Sequence, residues 1–131
     1  MKLFVTGGAG FIGSNFVRMV LNDALKGLEG ADVTVFDALT YSGTLSNLES
    51  VAGSKRFHFI EGNICDVEAV SHALSGHDSI IHFAAESHVD RSVADSRVFV
   101  ETNVVGTQTL LDQALKQGIS RFVHVSTDEV Y

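Results

Sequence analysis

Residues 126–129, Ser-Thr-Asp-Glu, put two hydroxyls and two adjacent carboxylates at the end of an apolar run, Arg121–Ser126. Such a group suits proton transfer, with one carboxyl donating and the other accepting. Two close carboxylates also tend to separate in pKa, because both cannot ionise cheaply side by side. Thr127, Asp128 and Glu129 are therefore candidate catalytic residues. The competing reading is that Asp128 and Glu129 merely open a helix, where acids complement the dipole. Adjacent residues on a regular strand face opposite sides. Both carboxylates can reach one substrate only if the strand has ended before Asp128. The strand is therefore expected to stop near Ser126, with Asp128 in a turn or helix start.

A second group sits near the N-terminus. Thr6-Gly7-Gly8-Ala9-Gly10-Phe11-Ile12-Gly13 follows an apolar run and opens an amphipathic one, with Gly7, Gly10 and Gly13 in G-x-x-G-x-x-G spacing. Glycines here allow a tight turn, close approach of backbone to a pyrophosphate, and close packing of helix on sheet. The helix N-terminus then faces the phosphates. Asp37 closes the second apolar run and is placed to accept hydrogen bonds from ribose hydroxyls. It would repel a 2′-phosphate, and Ala38-Leu39-Thr40-Tyr41 includes no cation to hold one, which favours NAD over NADP.

These groups must be positioned by alternating strands and helices. Strands are expected at Lys2–Thr6, Val33–Phe36, Phe57–Ile60, Ser79–Phe83 and Arg121–Ser126. Helices are expected at Phe11–Ala24, with Ile12, Phe16, Val20 and Leu21 inward, and at Val67–Leu74 behind an Asp66 cap. The longest spans Ser96–Gln117, with Val98, Thr102, Val105, Leu111 and Leu115 inward and Gly118 as its stop. A weak helix covers Thr44–Val51. This alternation predicts an α/β fold: a doubly wound parallel sheet in the order 3-2-1-4-5, with ligands at the C-terminal ends of strands 1 and 4.

Composition narrows the function classes. Apolar residues at 45% and charged residues at 19% can build a core in a single domain. A net charge of −7 argues against nucleic acid or a membrane surface as partner. Cys65 is the only cysteine, which suits a reducing cytoplasm. No Cys/His/Asp spacing supports a metal site. His82 and His124 lie in strands as packed residues, while His58, His72 and His77 are expected to be exposed. His88 is expected to join local hydrogen bonding, and Asp90 and Arg91 to form an ion pair.

TGGAGFIG at 6–13, DALTYSG at 37–43, HFAAESHVDRS at 82–92, ETNVVGTQTLL at 101–111 and STDEVY at 126–131 cover most of the chain's landmarks. In this set and order the chain resembles the extended short-chain dehydrogenases/reductases, and within them the dTDP-glucose 4,6-dehydratases. The resemblance implies a Rossmann fold binding NAD over residues 1–131 and a nucleotide-sugar substrate. It also implies a homodimer. Phe11 and Ile12 would bring backbone N–H groups to the pyrophosphate. Asp37, Ala38, Leu39, Thr40 and Gly43 would hold the adenosine ribose, and Asn63 and Ile64 would border the adenine. Ala84, Ala85, Ser87 and Thr102 would line the nicotinamide half, with Ser126 beneath the ring, and Phe83 would also bind the cofactor. Ser87 and Thr127 would contact the sugar.

The implied reaction oxidises sugar C4, eliminates water across C5 and C6, and returns hydride to C6. Asp128 would be the acid and Glu129 the base. Asn63 stands where the family usually has Asp, and Ala38 where it commonly has Lys. The family's Tyr-x-x-x-Lys pair does not occur in these residues, nor does the sugar-nucleotide-binding region. The chain is thus expected to be the N-terminal part of a longer enzyme, truncated after the fifth strand and inactive alone. The other readings are an epimerase or decarboxylase of the same family, which Asp128-Glu129 disfavours for the epimerase, and a non-catalytic NAD-binding module.

Overall fold

The computed structural model describes residues 1–128. Five strands, β1 (Lys2–Thr6), β2 (Asp32–Asp37), β3 (Phe57–Glu61), β4 (Ser79–His82) and β5 (Arg121–His124), form one parallel sheet in the order β3-β2-β1-β4-β5. This is the expected doubly wound α/β sheet. Side chains alternate across it, so β1 feeds two cores. Leu3 and Val5 join Val33, Val35 and Ile81 beneath Val17, Val20 and Leu21 of α1 (Phe11–Leu21). Phe4 joins Phe36 and Ile80 on the other face, under α2 (Val67–Leu74) and α5 (Thr107–Lys116).

The helix ends follow local chemistry. α1 stops at Leu21, before the expected Ala24, because Asp23 turns to a φ of 55° and accepts a hydrogen bond from the Gly30 N–H at 2.8 Å. Ile12 is 63% exposed at its open end, so it does not point inward as its spacing suggested. The segment Leu45–Val51 is a 3-10 helix that buries Leu48 and Val51, three residues apart as that helix's period requires. Asp66 caps α2 as expected, its Oδ1 accepting from the Ala69 N–H at 3.0 Å.

The expected helix Ser96–Gln117 is interrupted. It comprises α4 (Ser96–Phe99), a π-helical stretch Val100–Gly106, and α5, preceded by the separate short helix α3 (Val89–Ala94). Its buried residues are Gly106, Thr109, Leu110, Gln113 and Ala114. Val98, Val105, Leu111 and Leu115 are exposed, contrary to the inward face that their size suggested. The π-helical stretch changes the phase of the turn. Gly106 then sets the contact: a Cβ there would lie 2.5 Å from Ile64 Cδ1, so the helix approaches through its small residues.

β5 stops at His124 rather than Ser126. Its ladder partner is β4, whose last residue, His82, pairs with His124. Only the Val125 N–H continues the pairing, donating to the His82 carbonyl at 3.1 Å. No helix among the described residues is long and apolar enough to cross a membrane.

Candidate functional site

A cleft opens at the C-terminal ends of β1, β2 and β4, where the sheet order reverses. The chain leaves β1 toward α1 on one face and leaves β4 toward α5 on the other, so their loops diverge and leave a crevice. Gly7 adopts a φ of 70°, and a Cβ on it would lie 2.5 Å from the Ala84 nitrogen. Only glycine meets both conditions there. A Cβ on Gly13 would lie 2.3 Å from the Gly7 carbonyl oxygen, so the first turn of α1 folds directly onto the loop. Gly10 is the N-cap of α1 and no side chain caps that end. The uncapped turn at Phe11 and Ile12 faces outward, with Phe11 91% exposed. A helix terminus left open in this way suits an anionic group.

Asp37 ties this loop to its neighbours. Its Oδ2 accepts from the Ala9 N–H and its Oδ1 from the Leu39 N–H, both at 2.9 Å, and its backbone carbonyl accepts from the Gly62 N–H at 3.0 Å. Each carboxylate oxygen keeps a lone pair, and Asp37 lines the cleft. Those lone pairs match the hydroxyls of a ribose. The 3-10 segment braces the same loop. Asn47 donates from Nδ2 to the Ala9 carbonyl at 2.8 Å, and the Arg18 guanidinium holds the Asn47 carbonyl at 2.7 Å.

The fold gathers many of the anticipated residues on one surface. Gly7 and Gly10 line it from the glycine loop, and Asp37, Ala38, Thr40 and Gly43 from the β2 loop. Asn63 and Ile64 line it from the β3 loop, Phe83, Ala84 and Ala85 from the β4 loop, and Thr102 from the π-helical stretch. Gly13 is buried beneath, and Leu39, at a φ of 52° and half-buried, packs against the core under α1. Ser87, Ser126, Thr127 and Asp128 are exposed and lie outside the cleft lining.

The chain has left the strand before Asp128, and Thr127 donates from Oγ1 to Asp128 Oδ1 at 3.3 Å. Glu129 lies outside the described residues. Asn63 already uses its side-chain oxygen to accept the Cys65 N–H at 2.9 Å. An adenine amino group would share that oxygen with the turn.

Phe36, Ser42, Gly62 and Glu86 also line the cleft without having been anticipated. Asn103 clamps the Glu86 backbone at both ends. Its Oδ1 accepts from the Glu86 N–H at 2.8 Å and its Nδ2 donates to the Glu86 carbonyl at 2.9 Å. Nothing in local periodicity marks this contact, which joins residues 17 apart across two elements.

The expected Asp90–Arg91 ion pair does not form. Arg91 lies over the Tyr41 ring instead, 3.9 Å from its centroid, a stacking open to a planar guanidinium. The ion pair among the described residues is Arg56–Asp23, at the opposite end of the sheet. The His88 ring contacts Tyr41 at a tilt of 54°, with 5.2 Å between centroids. His77 is half-buried, not exposed, bonded to Thr34 Oγ1 and the Leu74 carbonyl. Burial pushes its pKa down, outweighing the hydrogen bonds with the Leu74 and Ser75 backbone, which act to raise it.

His82 sits behind the cleft. Its Nδ1 meets Thr6 Oγ1 at 2.6 Å and its Nε2 meets Thr107 Oγ1 at 2.9 Å, joining β1, β4 and α5. Burial, and secondarily the His124 ring 5.0 Å away, push its pKa down to about 4. His124 itself is exposed rather than packed. Among the described residues, no group of three or more His, Cys, Asp or Glu side chains is arranged to hold a metal ion.

Known proteins share this architecture and sequence. The chain is 53% identical over 131 residues to dTDP-glucose 4,6-dehydratase of Streptomyces niveus, covering 100% of this chain and 39% of that protein. It superposes with a TM-score of 0.97 and 55% identity on DesIV, a dTDP-glucose 4,6-dehydratase from Streptomyces venezuelae solved with NAD and TYD bound. That match covers 100% of this chain and 41% of the other. The dTDP-glucose 4,6-dehydratase of Bacillus anthracis, solved in complex with NAD, matches with a TM-score of 0.85 and 42% identity over 100% of this chain and 39% of that one. This chain therefore spans 39–41% of the length of these relatives. The sequence pattern of the GDP-mannose 4,6 dehydratase family matches residues 4–131, and the chain belongs to that family.

Proposed function

We propose that this chain is the NAD-binding part of a nucleotide-sugar 4,6-dehydratase that converts dTDP-glucose to its 4-keto-6-deoxy derivative. The observation that carries the reading is the continuity of two features at one end of the sheet. A cleft with an open helix terminus and a ribose-type carboxylate, Asp37, is lined in part by the loop after β4, and β5, the ladder partner of β4, ends before Thr127 and Asp128.

NAD fits the residues present. The loop closes tightly because a Cβ on Gly7 or Gly13 would strike nearby backbone, the end of α1 is left uncapped for an anionic group, and Asp37 retains lone pairs toward the cleft. Phe11 and Ile12 would hold the pyrophosphate through backbone N–H groups, Asp37 the ribose, and Ala84, Ala85 and Thr102 the nicotinamide end. Bound NAD would supply the electron acceptor for C4 and the donor for C6. Oxidation at C4 acidifies the C5 proton, so elimination then needs one base and one acid. Asp128 protonates the departing C6 hydroxyl, Glu129 removes the C5 proton, and Thr127 orients the sugar. The departure of the chain from β5 at His124 supports this pairing, because it frees Asp128 from strand alternation.

The test uses the full-length protein with dTDP-glucose. Wild type is expected to yield a 4-keto-6-deoxy product. Asp128→Asn is expected to retain C4 oxidation, seen as NADH absorbance in a single turnover, while water elimination slows by about 100-fold or more, the weight of a positioned general acid. Undiminished elimination in that variant would remove Asp128 from the acid role. Release of a C4-inverted sugar by wild type would favour the epimerase reading.

A further inference from the structure

Tyr41 and Glu86 are 45 residues apart in sequence and meet at the mouth of the cleft, the Tyr41 hydroxyl donating to Glu86 Oε2 at 2.9 Å. Tyr41 belongs to the loop after β2, and Glu86 to the loop after β4. In the sheet these strands flank β1, so the bond spans the C-terminal end of β1, where the glycine loop lies. Both ends of the bond are anchored. Asn103 grips the Glu86 backbone through its N–H and its carbonyl. The Tyr41 ring is contacted by both the Arg91 guanidinium and the His88 ring. Neighbouring residues of both loops, Ser42 and Ala85, line the cleft beneath.

We propose that Tyr41 and Glu86 form a clasp across the dinucleotide cleft that retains NAD between turnovers. This rests on the functional reading above, in which the cofactor is regenerated in each cycle and need not leave. An open cleft would let it exchange; a bond joining the β2 and β4 loops over the glycine loop must break before it can. Partial burial and the Glu86 carboxylate both raise the Tyr41 pKa, so the phenol remains a donor at neutral pH. Tyr41 and Glu86 are positioning residues, since neither is assigned a contact with the reacting carbons.

The experiment measures NAD dissociation from the full-length protein. Protein loaded with NAD is mixed with excess NADH, and the gain in bound-NADH fluorescence gives the release rate. Tyr41→Phe deletes the hydroxyl and leaves the ring for Arg91 and His88. It is expected to release NAD about fivefold to tenfold faster, the weight of one partly exposed hydrogen bond to a carboxylate. Glu86→Ala is expected to do the same. The double variant should be little faster than either single one, because both remove the same bond. The melting temperature of the NAD-free protein should not move with Tyr41→Phe, which separates a clasp from a merely structural contact. Release within about twofold of wild type in Tyr41→Phe overturns the clasp, as does full additivity in the double variant. Wild-type protein that binds no NAD overturns the functional reading and the clasp together.

Discussion

Protonating His82 would place a cation in a position that is 1% exposed, between Thr6 and Thr107 and beside the His124 ring. Its folded pKa is pushed down to about 4 from an ordinary 6.5. The unfolded chain therefore binds the proton more readily than the fold. Stability from the neutral imidazole is fully present above 6.5 and is lost as pH falls from there toward 4. The whole loss is about 3 kcal/mol, and about 2 kcal/mol of it should have gone by about pH 5. His77, also depressed by burial, acts in the same direction and must be separated. His82→Gln separates it, because glutamine bonds without titrating and leaves His77 in place. Urea unfolding of both proteins at about pH 8 and pH 5 gives the comparison. The variant should start less stable by about 1–2 kcal/mol, having lost geometry at one of the two hydroxyls. Its stability should then fall less on acidification, closing the gap to wild type by about 2 kcal/mol. Parallel pH dependences in the two proteins would refute the argument.

Two backbone sites make sharper demands. Gly7→Ala places a Cβ 2.5 Å from the Ala84 nitrogen at a φ of 70°. It is expected to cost about 2–3 kcal/mol in the denaturation free energy and to abolish measurable NAD binding by calorimetry. Gly106→Ala drives a methyl against Ile64, whose Cδ1 would stand 2.5 Å away. The neighbour there is a side chain rather than backbone, so a loss of about 1–3 kcal/mol is expected, read as a lower thermal midpoint of the NAD-free protein.

The chain's periodicities carry far into the structure. The starts of β1, β3, β4, β5 and α2 are legible from alternation and caps, because such signals depend on neighbours a few residues apart. The strand order follows from the same alternation once handedness is imposed. The spacing of Gly7, Gly10 and Gly13, taken with their place at the first strand-to-helix turn and with Asp37 at the end of the second strand, suggests a cradle. The inward face of the segment Ser96–Gln117 is not legible. Counting bulky residues favours Val105, Leu111 and Leu115, yet a π-helical stretch and the fit of Gly106 on Ile64 bury Leu110, Gln113 and Ala114 instead.

Asp128 and Glu129 pose the same limit at the other end. Their residue types suggest proton transfer, and for Asp128 the length of β5 decides whether it is free of the strand. That length is set by the short ladder with β4, which ends at His82. The residue types and spacing of the glycine loop, Asp37 and the terminal carboxylates were determined by the sequence itself, since each is a local pattern. Tertiary structure alone brought Tyr41 to Glu86, clamped Glu86 with Asn103, and set His82 between Thr6 and Thr107. These partners lie 17 to 76 residues apart. Their meeting depends on strand order and on how closely helices pack, and no short-range pattern encodes either.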